Sequence, residues 1–150
     1  MKPWIWLRIA AALQLLGTIG HTLATASTAP MRGAGEQAVF DAMRSFRFVL
    51  MGSVRSHWDL YRGYQLSTTV NFLMLVALLW LLGSLSRSEP RQSRPLVLVI
   101  LIAQAATVVL SWTFFFAAPG IVGSLIVLSL AMASLGLYGA AGSGSMSALE

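Results

Sequence analysis

Residues 95–138 read PLVLVILIAQAATVVLSWTFFFAAPGIVGSLIVLSLAMASLGLY, a stretch without an acid, a base or a histidine. A helix needs ~20 apolar residues to cross a bilayer core ~30 Å thick. The stretch holds two such runs, 95–117 and 120–138, divided at Ala118-Pro119-Gly120. That turn chemistry predicts an antiparallel helical hairpin. Backbone polar groups cannot stay unpaired in lipid, and the alternation a barrel strand needs is absent, so helices are the expected spanning form.

Two further apolar runs lie N-terminal to this pair, at 4–23 and 66–85. The first has a competing reading. Lys2 and Arg8 make a basic start, and Ala24-Thr25-Ala26 has the small-x-small pattern of a signal-peptide cleavage site. The run is long for a signal peptide and contains Gln14, so a retained helix is expected. Composition agrees with four spans. The chain is 57% hydrophobic and 10% charged, against about 25% charged in a soluble domain. The absence of cysteine excludes disulfides, thiolate metal sites, iron–sulfur clusters, cysteine nucleophiles and covalently attached haem.

The net charge of +5 comes from basic residues at the edges of the apolar runs. Headgroup attraction and orientation account for it, and nucleic acid is not an expected partner. Lys2 and Arg8 precede the first span, and Arg87, Arg91 and Arg94 fill the loop between the second and third. Both clusters then face the cytoplasm, with both termini, and the 26–64 connection lies outside. Five arginines in that connection oppose the assignment, although a long connection is less bound by the rule.

The connection opens with loop chemistry, Thr28-Ala29-Pro30 and Gly33-Ala34-Gly35, with an amphipathic extracytoplasmic helix expected over about 36–62. On that helix Asp41, Arg44, Phe48, Arg55, Asp59 and Arg62 fall within ~60° of one another. Asp41–Arg44 and Arg55–Asp59 pairs are expected along the stripe. The stripe is either a solvated or headgroup-facing side, or a surface that recognises an anionic ligand. Met43, Phe46, Leu50, Val54, His57 and Tyr61 form a second face. Residues 141–150 read as a flexible Gly-Ser tail.

Polar residues inside the spans share faces: Gln14, Thr18 and His21 on the first, Ser67 and Asn71 on the second, Gln104, Thr107 and Ser111 on the third. Lipid exposure is costly for them, so they are expected to point inward. Gln14 and Gln104 lie at similar depth and are expected to pair as interhelical glue. His21, Asn71 and Ser111 lie in the outer half, where His57 and Tyr61 approach. The expected site is an outer-mouth pocket of these five, with Trp112 as a further candidate and Arg44, Arg55, Asp59 and Arg62 around it. His21 and His57 are also weak candidates for haem or metal ligation, although no cofactor is predicted.

Gly20-His21, Met51-Gly52 and Ser56-His57-Trp58-Asp59-Leu60-Tyr61-Arg62-Gly63-Tyr64 resemble an uncharacterised bacterial family of small four-helix inner-membrane proteins. In that family the last stretch reads like Asp-Phe-Tyr-x-Gly-Phe-Gly; here Leu60, Tyr64 and Gln65 replace Phe, Phe and Gly. The resemblance covers most of residues 5–140. It implies the fold and a membrane location, and brings no activity. A looser likeness to DoxX-like proteins concerns layout alone.

The expected fold is therefore all-α: a polytopic membrane protein with four spans in an antiparallel bundle and an outer amphipathic helix. The leading functional expectation is binding of an amphipathic or anionic small molecule, a lipid or a membrane partner at the outer mouth, without catalysis. A membrane enzyme or redox subunit using His21 and His57 is one alternative. A small transporter or channel component acting as a homo-oligomer is another. The expected location is the bacterial inner membrane.

Overall fold

The computed structural model describes residues 2–26 and 32–146, with side chains through Gly139. The expected loop at Thr28-Ala29-Pro30 lies outside the described residues. Among those described, five helices and a two-stranded hairpin follow in the order α1 (Pro3–Ala26), α2 (Ala34–Ser45), β1 (Arg47–Leu50), β2 (Ser53–Ser56), α3 (His57–Ser88), α4 (Pro90–Phe114) and α5 (Ala117–Met146). Helices α1, α3, α4 and the Ala117–Gly139 part of α5 are long and apolar enough to cross a membrane. The expected helical fold and its four span-length helices are present; the boundaries between elements differ.

The chain divides into two compact units, Met1–Thr18 with Phe72–Glu150, and Ile19–Asn71. In the first, the core is assembled from one stripe of each helix. Leu7, Ala10 and Ala11 of α1 meet Leu79 and Leu82 of α3, Val97 of α4, and Ile126, Leu130, Ala133 and Leu137 of α5. Three- and four-residue spacing puts each set on one helix face. The opposite faces stay apolar and open: Leu16, Val99 and Val109 are each more than 60% exposed. Water penalises such a surface and hydrocarbon does not. Without a hydrophobic force between helices in lipid, close packing and buried polar pairs must hold them. Gln104 Nε2 accordingly donates to Oε1 of buried Gln14 at 3.1 Å, the pair expected from their depth.

Helices α4 and α5 run antiparallel, with Arg94 donating to the Leu137 carbonyl at one end and Trp112 to Ser124 Oγ at the other. The turn between them is not Ala118-Pro119-Gly120. Helix α4 stops at Phe114, Phe115 caps it through its N–H to the Ser111 carbonyl, and α5 already begins at Ala117. Pro119 sits in the first turn of α5, where no intrahelical N–H is required. Gly120 admits the Trp112 ring, which would lie 2.7 Å from a Cβ there.

Helix α5 also continues through Met146, into the stretch expected to be a flexible tail, because an existing helix adds residues without a new nucleation cost. Residues 147–150 of that tail lie outside the described residues. Helices α3 and α4 likewise start earlier than the apolar runs, at His57 and Pro90.

In the second unit the expected single helix over 36–62 is corrected. Helix α2 ends at Ser45, a β-hairpin follows, and residues 57–62 are the first turns of α3. The hairpin pairs Arg47 with Ser56, Phe48 with Arg55, Val49 with Val54 and Leu50 with Ser53. Its two-residue turn is Met51-Gly52, both with positive φ, 48° and 81°. That is the twist-matched turn which two-residue hairpins prefer, and glycine supplies its second position at no steric cost. The flanking Phe, Val and Leu side chains suit a pleated ribbon. The stripe that placed Phe48 and Arg55 on a common helix face with Asp41 and Arg62 therefore does not exist.

Candidate functional site

The candidate residues fall into separate local arrangements. At the hairpin–α3 junction, Ser56 is the N-cap and Asp59 the third helical residue. The Asp59 carboxylate accepts the Ser56 backbone N–H at 2.8 Å and its hydroxyl at 2.9 Å, and Ser56 Oγ stands 3.1 Å from the Asp59 N–H. This is a reciprocal cap that satisfies donors a helix start leaves open. These residues precede the apolar run 66–85. The hydrogen bond from the Ser56 backbone N–H, aided by the Ser56 hydroxyl and by Arg47 and Arg55, holds the Asp59 carboxyl below its usual range. Asp59 is thus a helix-capping group, and the expected Arg55–Asp59 pair has no continuous helix to form on. Arg55 instead bonds the Val54 carbonyl at 2.8 Å and is exposed.

His57 follows Ser56. Its ring stacks on Phe46 at 5.7 Å and 10° and meets Phe48 at 5.0 Å, closing the hairpin against the helix start. Trp58 joins α2 to α3. It packs on Phe40 at 5.2 Å and on Tyr61 at 5.6 Å, and carries the Arg44 guanidinium 4.2 Å above its ring. Arg44 also forms the expected pair with Asp41, at 3.5 Å. The charge of Arg44 is therefore spent on a ring and a carboxylate of the same unit.

Arg62 faces α1 rather than outward. Its Nη1 donates to the Thr25 carbonyl and to Gln65 Oε1. Thr25 belongs to the last turn of α1, where carbonyls lack helical partners and a cation is favoured. One turn earlier on α1, His21 Nε2 lies 3.2 Å from the Gln65 carbonyl. A carbonyl only accepts, so Nε2 carries the proton in this bond. Between His57 and Gln65 lie eight helical steps, ~12 Å of axis. His57 sits against the hairpin phenylalanines and His21 beside Gln65, so the fold does not bring these two rings to a common metal or haem.

Asn71 is exposed on α3, and Tyr61 is 41% exposed. Ser111 belongs to the other unit, where its hydroxyl donates to the Thr107 carbonyl of its own helix at 2.9 Å. Trp112 packs against Gly120 and Ser124. Both have local structural partners on α4 and α5. Arg47, which lies outside the candidate set, is exposed. It sits on the hairpin paired with Ser56, and strand alternation over 46–56 would have drawn attention to it.

The hairpin itself is the most unusual surface of the unit. Val49, Leu50, Met51 and Val54 are 72%, 46%, 100% and 52% exposed around its turn, with the exposed Arg47 and Arg55 at its base. An apolar tip bordered by guanidinium groups suits a boundary between hydrocarbon and anionic groups.

A helical build, four helices of crossing length and a largely apolar exterior define a multi-pass membrane protein. The chain matches no family model, no curated protein and no solved structure.

Proposed function

We propose that this is a non-enzymatic protein of the bacterial cytoplasmic membrane which engages an anionic amphiphile, a lipid headgroup with its chain, through the β1–β2 hairpin. In this reading the four long helices cross as an antiparallel bundle. The ends carrying Arg8, Arg87 and Arg94 face the cytoplasm with both termini, and α2 with the hairpin lies outside. The likeness of Met51-Gly52 and Ser56–Gly63 to the small four-helix inner-membrane family is part of the same proposal. One observation carries it: the exposed apolar tip Leu50-Met51 above Arg47 and Arg55. Arg44, Arg62 and Asp59 serve the fold, so Arg47 and Arg55 supply the charge. His21 and His57 have separate neighbours, Gln65 for one and the hairpin phenylalanines for the other, which favours this reading over a shared redox centre.

The chain lacks cysteine, so Met51→Cys labelled with an environment-sensitive dye reports the tip alone. In vesicles containing phosphatidylglycerol the dye emission shifts to the blue. Arg47→Gln with Arg55→Gln removes the dependence on anionic lipid. Solvent-like emission whatever the vesicle composition rejects the proposal.

A further inference from the structure

We infer a second and separate lipid site in the unit of Met1–Thr18 and Phe72–Glu150: a groove between the end of α3 and the start of α4 that holds one anionic phospholipid. Leu78, Leu81, Leu85 and Leu96 line it, and Ser84 and Ser88 give it a polar edge. From Leu78 to Leu85 the α3 wall extends ~10 Å along the helix, enough to seat part of an acyl chain. The groove is open on the apolar exterior, where hydrocarbon rather than water is the expected neighbour.

The headgroup preference comes from the guanidinium groups at the polar edge. Arg8 donates through Nη2 to Ser84 Oγ at 3.0 Å, and its Cζ lies 3.4 Å from the centre of the Trp80 ring. Gly83 clears its path, since a Cβ there would stand 2.9 Å from Arg8 Nε. Trp80, Ser84 and Gly83 thus hold a partly exposed guanidinium in one place beside the groove, and Ser84 takes just one of its five donors. One turn further along α3, the Arg87 guanidinium lies 4.9 Å from the Trp4 ring, a second cation on the helix face that carries Arg8.

The planar fork of arginine matches a phosphate in geometry as well as charge. Lys2, Arg91 and Arg94 lie near the same helix ends, where Glu89 is the one carboxylate among the described residues. This excess favours a headgroup with net negative charge over a zwitterionic one, whose own cation would meet repulsion.

Native mass spectrometry tests the inference on the intact chain. The probe is an equimolar mixture of phosphatidylglycerol and phosphatidylcholine with identical acyl chains. On the full chain carrying Arg47→Gln and Arg55→Gln, which removes the hairpin's charge, one phosphatidylglycerol is still expected to be retained preferentially on the monomer. Arg8→Gln lowers that preference about fivefold, the worth of one basic side chain at an anionic surface. Arg32→Gln, at an exposed arginine outside both the hairpin tip and the groove, leaves it unchanged. On the unaltered protein, raised salt weakens the preference while inorganic phosphate at constant ionic strength does not displace the lipid. Equal retention of the two lipids, an unchanged preference in a folded Arg8→Gln, displacement by phosphate, or a dimer that retains no lipid overturns the inference.

Discussion

Ser56 and Asp59 close a reciprocal box at the start of α3: the carboxylate takes the backbone N–H of Ser56, and the serine oxygen caps the N–H of Asp59. The box decides where strand β2 stops and the long helix begins. Ser56 is 3% exposed, so its loss strands donors that water cannot easily reach. Ser56→Ala is expected to cost about 1 kcal/mol and to speed amide exchange over residues 57–61. Asp59 adds a pH dependence. Its carboxyl is held below the ordinary value of 3.8, so its contribution is complete above that value and is lost as pH falls through the lowered one. The protection of amides 57–61, taken relative to the intrinsic exchange rate at each pH, is expected to fall on acidification in the parent. It should lose that dependence in Asp59→Asn, and equal acid sensitivity in both proteins would contradict the assignment.

Met51 occupies a left-handed conformation, φ 48°, that a side chain bearing a Cβ adopts at a cost. Asparagine tolerates it and is preferred before glycine in this turn. Met51→Asn is therefore expected to stabilise the hairpin by about 0.5 kcal/mol, while Gly52→Ala, at φ 81°, destabilises it by about 1 kcal/mol. Amide exchange of β1 and β2 measures both. The same Met51→Asn change should weaken any lipid contact of the tip, which separates hairpin stability from hairpin function.

Arg62 ties the end of α1 to α3 through the Thr25 carbonyl. Arg62→Gln is expected to loosen the last turn of α1, with faster exchange over residues 22–26 and a loss of about 1 kcal/mol. Arg62→Lys should recover part of it, because the charge still suits a helix C-terminus but one fork of donors no longer reaches both Thr25 and Gln65. A normal ligand response with a frayed helix end in Arg62→Gln would confirm a structural role. A lost ligand response with an intact α1 would return Arg62 to the binding surface.

Gln14 and Gln104 bridge α1 and α4 across a gap of 90 residues in sequence. A double-mutant cycle with leucine is expected to give a coupling of about 0.6 kcal/mol, the usual size for polar pairs in membrane proteins. Either single change leaves one amide without its partner, so each should destabilise more than the double change. Thermal unfolding in detergent provides the readout, and additive single effects would show that the two amides are not coupled.

The spans were legible because lipid leaves the backbone few options: apolar runs of ~20 residues become helices. Gln14 and Gln104 were legible for the same reason, since buried amides at one depth seek each other. The connection was not. Asp41, Arg44, Arg55 and Asp59 happen to fall at helical spacing, and charge spacing outweighed the aromatic and β-branched residues of 46–56. Met51-Gly52 and Ser56-x-x-Asp59 carried the contrary information, one as a two-residue turn and the other as a helix cap. The pocket expected from His21, His57, Asn71 and Ser111 assumed a helix throughout. With the strand present, His57 turns to Phe46 and Phe48, and His21 to Gln65.

The α4–α5 hairpin depends on one close approach. The Trp112 ring lies where a Cβ on Gly120 would be 2.7 Å away, and the indole N–H reaches Ser124 Oγ one turn further on. Neither contact can shift without the other, since a rigid ring carries both. Gly120→Ala is thus expected to destabilise the hairpin by about 1–3 kcal/mol, the usual range for overpacking, although alanine is the better helix former. Trp112→Leu removes the clash along with the indole bond, so Gly120→Ala in that background should be nearly neutral or stabilising. The measurement is thermal unfolding of the four proteins in one detergent. If Gly120→Ala stabilises the parent, helix propensity outweighs the ring contact, and Trp112 does not lock this turn.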